Sequence, residues 1–129
     1  MKSYTDLEQS KKLAEILPLE SADMFYDVNS YGVRTTPEVL ITSVIRKKDV
    51  PCWSLAALLG VLPIVYTNDK KEVCGPLHID ITDSETPFAL WYVNPLHKGG
   101  IVELKTKECD NLVDACYEMI IKLHEQKLL

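Results

Sequence analysis

Residues 1–129 are enough for one domain with a sizeable core, and we expect a single domain over this span. Apolar residues form 47% of the sequence and charged residues 26%, values that are typical of a globular fold and exclude a wholly disordered chain. Acidic residues outnumber basic ones by 19 to 14, and the bases are spread in short runs such as Lys70–Lys71. Since a phosphate backbone needs clustered bases, we expect no nucleic-acid partner.

Cysteines occur at positions 52, 74, 109 and 116, without a C-x-x-C pair and without an apolar leader before them. This usage favours reduced thiols and, with them, a cytoplasmic location. No apolar run approaches the ~18 residues that a membrane span requires, so we expect no membrane association.

The first predicted element is an amphipathic helix that begins at a Thr5-x-x-Glu8 capping box and ends at Pro18. Two strands follow, at 24–28 and at 38–45, where β-branched and aromatic residues are frequent.

A short central helix is predicted after the N-cap residue Ser54. Its residues, 55–62, are apolar on nearly every face, which is typical of a buried helix. We therefore expect this helix at the centre of the core or under a partner. Residues 64–67 then form a short strand, which the turn sequence NDKK closes.

The second half of the chain has the most regular patterns. They predict strands at 77–82, 87–93 and 101–106, and a final helix from Asn111 to about Gln126. The order of all elements predicts an α+β fold. We expect an antiparallel sheet of about five strands, with two amphipathic terminal helices and the short buried central helix packed on one face.

The strands 77–82 and 87–93 form a hairpin whose register is the same for a loop of two or four residues. One face, which we expect to be the core face, then carries the pairs Ile81–Phe88, Ile79–Leu90 and Leu77–Tyr92. The opposite face carries the pairs His78–Trp91 and Asp80–Ala89.

A tryptophan on the open face of a sheet would leave a large apolar ring in water. Either another part of the chain covers Trp91, or Trp91 is the aromatic anchor of an interface, beside His78 and Tyr66 or Tyr92. A ligand groove and a different strand register are the remaining alternatives, and the sequence leaves them all open.

Two chemical roles are compatible with these residue types. Cys52 precedes a helix N-terminus, where a thiol pKa is lowered, but the spacing selects no histidine partner, and packing is the simpler role. His78 and Asp80 project from one face of a strand, as two ligands of a metal ion would. Asp83 in the following turn and Cys74 before the strand are the nearest further candidates, but alternation in a half-exposed strand explains the pattern without a ligand. We therefore expect no catalytic residue, no bound metal and no cofactor.

Three stretches together carry a resemblance to a known group: LEQSKKLAEILPLESADM, PCWSLAALLGVLP and NLVDACYEMIIKLHE. With them the chain resembles a family of small uncharacterised proteins encoded by gut bacteria, often in phage-like or mobile regions. The resemblance covers most of the chain and implies a bacterial protein inside the cell. It implies no known activity and no site residue.

The resulting hypothesis is a small cytoplasmic protein that acts as a non-enzymatic protein-interaction module. It would bind a protein partner, or a second copy of itself, through a surface that contains Trp91, His78 and Asp80. The alternative is a small enzyme, or a metal- or ligand-binding protein, that uses His78 and Asp80.

Overall fold

The computed structural model describes residues 2–29, 32–33, 36–39, 48–96 and 100–129 of the chain. These residues form two compact units, Lys2–Gly60 and Val61–Leu129, and each has buried residues of its own. The expectation of a single domain over 1–129 stays a prediction. None of the helices in the described ranges combines the length and the apolar composition that crossing a membrane requires.

The unit Lys2–Gly60 combines short strands with short helices. Its elements are α1 (Leu7–Ala14), a 3-10 turn (Leu19–Ser21), β1 (Met24–Tyr26), β2 (Val28–Asn29), β3 (Gly32–Val33), β4 (Glu38–Val39), β5 (Val50–Cys52) and α2 (Leu55–Val61). Strand β1 lies between β4 and β5 in an antiparallel sheet, while β2 and β3 form a ribbon. The strand predicted at 24–28 is confirmed in β1, and residues 40–45 of the strand predicted at 38–45 lie outside the described residues.

Thr5 is the residue on which the hydrogen bonds of this unit converge. Its fully buried hydroxyl lies 2.7 Å from the Ser10 hydroxyl and accepts from the backbone N–H of Trp53 at 3.2 Å. Its carbonyl accepts from the Tyr26 hydroxyl at 2.8 Å, and its N–H donates to the Trp53 carbonyl at 2.9 Å. One residue therefore ties α1 and β1 to the segment that follows β5.

This use of Thr5 corrects the predicted start of α1. The capping box forms one residue later: Asp6 accepts from the Gln9 N–H at 2.8 Å, and the Gln9 side chain accepts from the Asp6 N–H at 3.1 Å. Thr5 does not cap the helix because its hydroxyl already has partners in the core. A sequence in which Thr5 and Asp6 are both good caps does not reveal which of the two is used.

Of the two positions expected for the central helix, α2, the centre of the core is wrong, whereas cover by a partner stays a prediction. Leu58 is fully buried, but Leu59 next to it is 38% exposed, and Ala56 and Gly60 are exposed as well. This short helix therefore buries only part of its apolar surface. The predicted N-cap is confirmed, since Ser54 Oγ accepts from the Ala57 N–H at 3.2 Å.

The unit Val61–Leu129 carries the predicted hairpin and the final helix. Its elements are β6 (Tyr66–Thr67), β7 (Val73–Cys74), β8 (Leu77–Ile81), β9 (Phe88–Asn94), β10 (Ile101–Lys105) and α3 (Leu112–Glu125). Strand β9 lies between β8 and β10, and β6 pairs with β7. Asn111 caps α3 by accepting from the Asp114 N–H at 2.8 Å. The three predicted strands and the predicted helix are confirmed.

The α+β class is confirmed, but the strands do not form one sheet of about five strands. In the ranges that the structure describes, they form two three-stranded antiparallel sheets and two ribbons. Each unit pairs its strands internally, β1 with β4 and β5, and β9 with β8 and β10. Alternation along a sequence indicates a strand and its two faces, but it does not name the partner strand.

Helix α3 packs on β9, and this placement determines which strand of the sheet is buried. Leu90 and Tyr92 of β9 are fully buried, as expected for the core face. Ile79 and Ile81 lie on the same face of β8, yet they are 44% and 69% exposed. The prediction that these isoleucines belong to the core is therefore wrong, because β8 lies one strand beyond the strand on which α3 packs.

We predict that Thr5→Val lowers the free energy of unfolding by about 1–3 kcal/mol. The isosteric change leaves the Ser10 hydroxyl and the Trp53 N–H without their partner inside the core. Urea unfolding measures the effect, and Thr36→Val is the matched control because Thr36 is exposed. Equal stability of the two variants would contradict the central role of Thr5.

Candidate functional site

The residues predicted for a functional surface lie on the hairpin of β8 and β9. The predicted register is confirmed at every pair of β8, including His78 with Trp91 and Asp80 with Ala89. Because the ladder has no bulge, His78 and Asp80 project from the face opposite to buried Leu90. The hairpin thus brings Trp91, His78 and Asp80 together on one face of the sheet.

His78 and Trp91 form a stacked pair across the two strands. Their ring centroids are 4.1 Å apart and their planes differ by 7°. Both side chains are partly exposed, so the pair lies at the surface. A distant segment is not needed to shield the indole, since the imidazole opposite covers one of its faces.

The third strand adds a cation to the same face. Lys105 of β10 faces Trp91 across the ladder, so His78, Trp91 and Lys105 form a row over three strands. Asp80 faces Ala89, and its carboxylate has no ion pair or hydrogen bond with any described residue. This face offers a flat stacked pair and charges of both signs, which is suited to recognition.

Around His78 and Asp80, the described residues do not bring together the groups that a metal site requires. Within the described ranges, no three His, Cys, Asp or Glu side chains converge in a way that would hold a metal ion. The His78 ring stacks on Trp91, and the Asp80 carboxylate has no ion pair with a described residue. Among the residues that the structure describes, the pair therefore has no third ligand of the kind that a zinc site needs.

A surface cavity of about 480 Å³ lies elsewhere in the same unit. Its lining residues are Tyr66, Thr67, Asn68, Asp69, Glu103, Gln126, Lys127 and Leu128. The Asn68 amide donates to Glu72 and Glu103, which fixes the polar wall of the cavity. None of the predicted site residues lines it.

The backbone of β8 reveals a feature that the residue types alone do not show. The Thr82 N–H donates to the Pro87 carbonyl at 2.8 Å, which makes this a hydrogen-bonded pair of the ladder. Such pairs alternate in an antiparallel ladder, so Asp80 and His78 also bond to β9 through their backbones. Leu77, Ile79 and Ile81 therefore direct their N–H and C=O groups away from β9.

These outward groups are covered only at the start of the strand. The Leu77 N–H donates to the Ile64 carbonyl at 2.8 Å, and a Cβ on Gly75 would lie 2.7 Å from that same carbonyl, so the chain is tightly packed there. Ile79 and Ile81 have no hydrogen-bond partner for their outward groups among the described residues. We call these outward N–H and C=O groups, together with the two exposed isoleucine side chains, the β8 edge.

Cys52 does not have the properties of a reactive thiol. It is fully buried, and burial raises the pKa of its thiol, although hydrogen bonds with Thr5 and Ser10 act in the opposite direction. The four cysteines are all buried as free thiols. Burial also raises the pKa of Cys116 to about 12. Because folding raises these pKa values, the free energy of unfolding falls as the pH rises from about 9 toward 12.

Sequence reasoning found the stacked pair and missed the β8 edge. The alternation of LHIDI predicted the register and therefore the meeting of His78 and Trp91. It also assigned Ile79 and Ile81 to the core, which hid their exposure. One signal in the sequence was the acidic bend DSET after the strand, since a polar turn leaves the adjacent end of β8 in solvent.

Comparison with protein-family models, with curated proteins and with solved structures found no match for this chain. The resemblance to small gut-bacterial proteins therefore stays a prediction, and the geometry of the residues has to carry the functional argument.

We predict that His78→Ala shifts the fluorescence of Trp91 to longer wavelength and lowers the free energy of unfolding by about 0.5–1.5 kcal/mol. The indole loses the ring that covers it, whereas Trp53 is fully buried and contributes a constant signal. His124→Ala is the control, because His124 is exposed on α3. An unchanged emission maximum in His78→Ala would contradict the stacking.

We also predict that the four thiols of the folded protein react slowly with an aromatic disulfide reagent at pH 8. Burial keeps them protonated and out of reach, so each should react many times faster in urea. The rates are followed by the absorbance of the released thiolate. Fast reaction of Cys52 in the folded protein would revive the hypothesis of an activated nucleophile.

Proposed function

We propose that this chain is a non-enzymatic protein-interaction module that binds an extended segment of a partner protein as an added strand beside β8. The observation that carries the proposal is the β8 edge, where Ile79 and Ile81 direct backbone groups outward that have no partner among the described residues, next to exposed apolar side chains. An added strand satisfies both features at once, since its backbone pairs with the edge and its side chains cover the isoleucines.

The contrast between the two edges of this sheet supports the proposal. Proteins protect edge strands with bulges and with charged side chains, lysine above all. Strand β10 has both devices, a register shift between Val102 and Leu104, and Lys105. Strand β8 has an uninterrupted register and contains no lysine. Both strands expose two apolar side chains, Ile79 and Ile81 on β8 and Ile101 and Val102 on β10. The edge of β8 is therefore the less protected of the two.

The energies available at the β8 edge suit a transient interaction. Each backbone hydrogen bond contributes about 0.5–1.5 kcal/mol, and full burial of an isoleucine side chain about 1.5–3 kcal/mol. The short edge offers four backbone groups and two partly exposed side chains. Such a total must also offset the entropy of ordering a flexible segment, so a modest affinity is expected.

The proposal includes a cytoplasmic location and an origin in a phage-like or mobile region of a bacterial genome. Four buried free cysteines support a reducing compartment, and the resemblance of three sequence stretches supports the origin. No observation favours the alternative of an enzyme or metal protein that uses His78 and Asp80.

We predict that, in the dilute free protein, the amide protons of Ile79 and Ile81 exchange with solvent at least about 100-fold faster than those of His78 and Asp80. The first two point outward without partners, and the other two bond to β9. Residue-resolved hydrogen exchange by NMR measures the four rates in one sample.

The internal comparison within β8 serves as the control, because all four residues share one strand and similar exposure to exchange conditions. Protection of Ile79 and Ile81 at every protein concentration would show that another segment of the chain covers the edge. That result would contradict the proposed function.

A further inference from the structure

We infer that the segment bound beside β8 carries a lysine or arginine opposite Asp80, between two apolar residues that face Ile79 and Ile81. This inference rests on the proposed function and specifies the chemistry of its partner. It follows from the side chains along the β8 edge, which alternate apolar, acidic, apolar.

The carboxylate of Asp80 favours a partner segment with a basic residue opposite it. Its carboxylate is partly exposed and has no ion pair or hydrogen bond with any described residue. Its neighbour on β9 is Ala89, which supplies neither a charge nor a side-chain hydrogen bond. A basic residue in the added strand, on the side of Asp80 away from Ala89, is therefore its first cross-strand neighbour of opposite charge. Opposite charges at that distance attract.

The two isoleucines require apolar neighbours. A strand placed beside β8 puts the residues flanking the basic one on the same face as Ile79 and Ile81. These side chains are 44% and 69% exposed, and valine, isoleucine or an aromatic residue opposite would remove that surface from water. The pattern of the partner is thus apolar, basic, apolar.

The length of the paired segment is limited at both ends of the edge. At one end, Ile64 already accepts the Leu77 N–H, so an added strand cannot continue past this point. At the other end, residues 83–86 form a bend, and Thr82 turns its N–H back to Pro87. The core of the recognised segment is therefore about three residues, which is the span from Ile79 to Ile81.

A second copy of the chain fits this edge poorly. Antiparallel pairing about Asp80 would place two aspartates directly opposite each other, which is destabilising. A register with Ile79 opposite Ile79 would bring Ile81 of the second copy against Leu77, where Ile64 already lies.

The remaining symmetric register, with Ile81 opposite Ile81, places Ile79 against Asp83. Asp83 lies in the exposed bend after the strand, so an acidic side chain and an irregular backbone would replace an apolar strand residue. Another protein with a basic residue between two apolar ones meets none of these obstacles.

The test uses the full chain labelled with ¹⁵N and two end-blocked hexapeptides of alternating sequence, Val-Lys-Val-Lys-Val-Lys and Val-Glu-Val-Glu-Val-Glu. NMR titration gives the affinity of each, and hydrogen exchange reports whether the Ile79 and Ile81 amides gain protection. We expect the lysine peptide to bind about fivefold tighter or more at low salt, and the difference to shrink at high salt.

Two variants make the experiment specific. Asp80→Lys should reverse the preference, so that the glutamate peptide binds more tightly. Asp83→Lys is the matched control, because it changes the net charge equally from an exposed bend residue and should keep the original order. Ile81→Pro removes one outward N–H without removing a bond to β9, and should weaken the binding of both peptides in a protein that remains folded.

The outcomes separate the inference from the proposed function. Equal affinity for both peptides at β8, an unchanged order in Asp80→Lys, or no change at Ile79 and Ile81 with either peptide would overturn the inference. Without peptide, protection of Ile79 and Ile81 that rises with protein concentration would also overturn it, because the partner would then be a second copy. Slow exchange of these amides in the dilute free protein would instead remove the proposed function itself.

Discussion

Alternate peptide groups of an antiparallel strand point to opposite sides, and in β8 this alternation is fixed by the register with β9. His78 and Asp80 bond to β9, so Ile79 and Ile81 must direct their polar backbone groups to the other side. No change of side chain alters this outcome while the register holds. The same register places His78 opposite Trp91 and Asp80 opposite Ala89, and it directs the outward backbone groups of the β8 edge.

The placement of α3 adds the second constraint. A helix is about 10 Å across, so a single helix covers only part of a three-stranded sheet. Here α3 packs on β9, whose Leu90 and Tyr92 are fully buried. Strand β8 continues the same face without the same cover, which leaves Ile79 and Ile81 in solvent. The β8 edge is apolar because the sequence of β8 alternates like that of a half-buried strand. It is exposed because α3 packs on β9 and not on β8.

The parts of this fold that the sequence predicted are those fixed by local periodicity. Helix α3 follows from its repeat of apolar residues and from Asn111 at its start, and the register of the hairpin follows from two matching alternations. The errors concern facts that are set by distant segments. Thr5 did not cap α1 because Trp53, far along the chain, uses its hydroxyl, and Ile79 lies outside the core because of where α3 packs.

The candidate site shows the same division. That His78 meets Trp91 could be derived from the pairing alone, but the parallel stacking of the rings at 4.1 Å depends on side-chain rotamers that no sequence pattern specifies. The absence of cover on β8 could not be derived either, since alternation reads the same in a central strand and an edge strand. Sequence reasoning therefore identified the strand and its two faces, but not the position of this strand at the edge of the sheet.

The stacked pair gives the β8 edge a further property. Cross-strand aromatic contacts stabilise a sheet locally, so the His78–Trp91 stack holds β8 against β9 at the position next to the free edge. A partner strand then meets a backbone that is already extended, and less ordering entropy opposes its binding. Because the stack occupies the His78 ring, the charged group of β8 that stays available to discriminate between partners is Asp80. In the proposed interaction, the aromatic pair would therefore position the edge, and the aspartate would discriminate between the segments that bind to it.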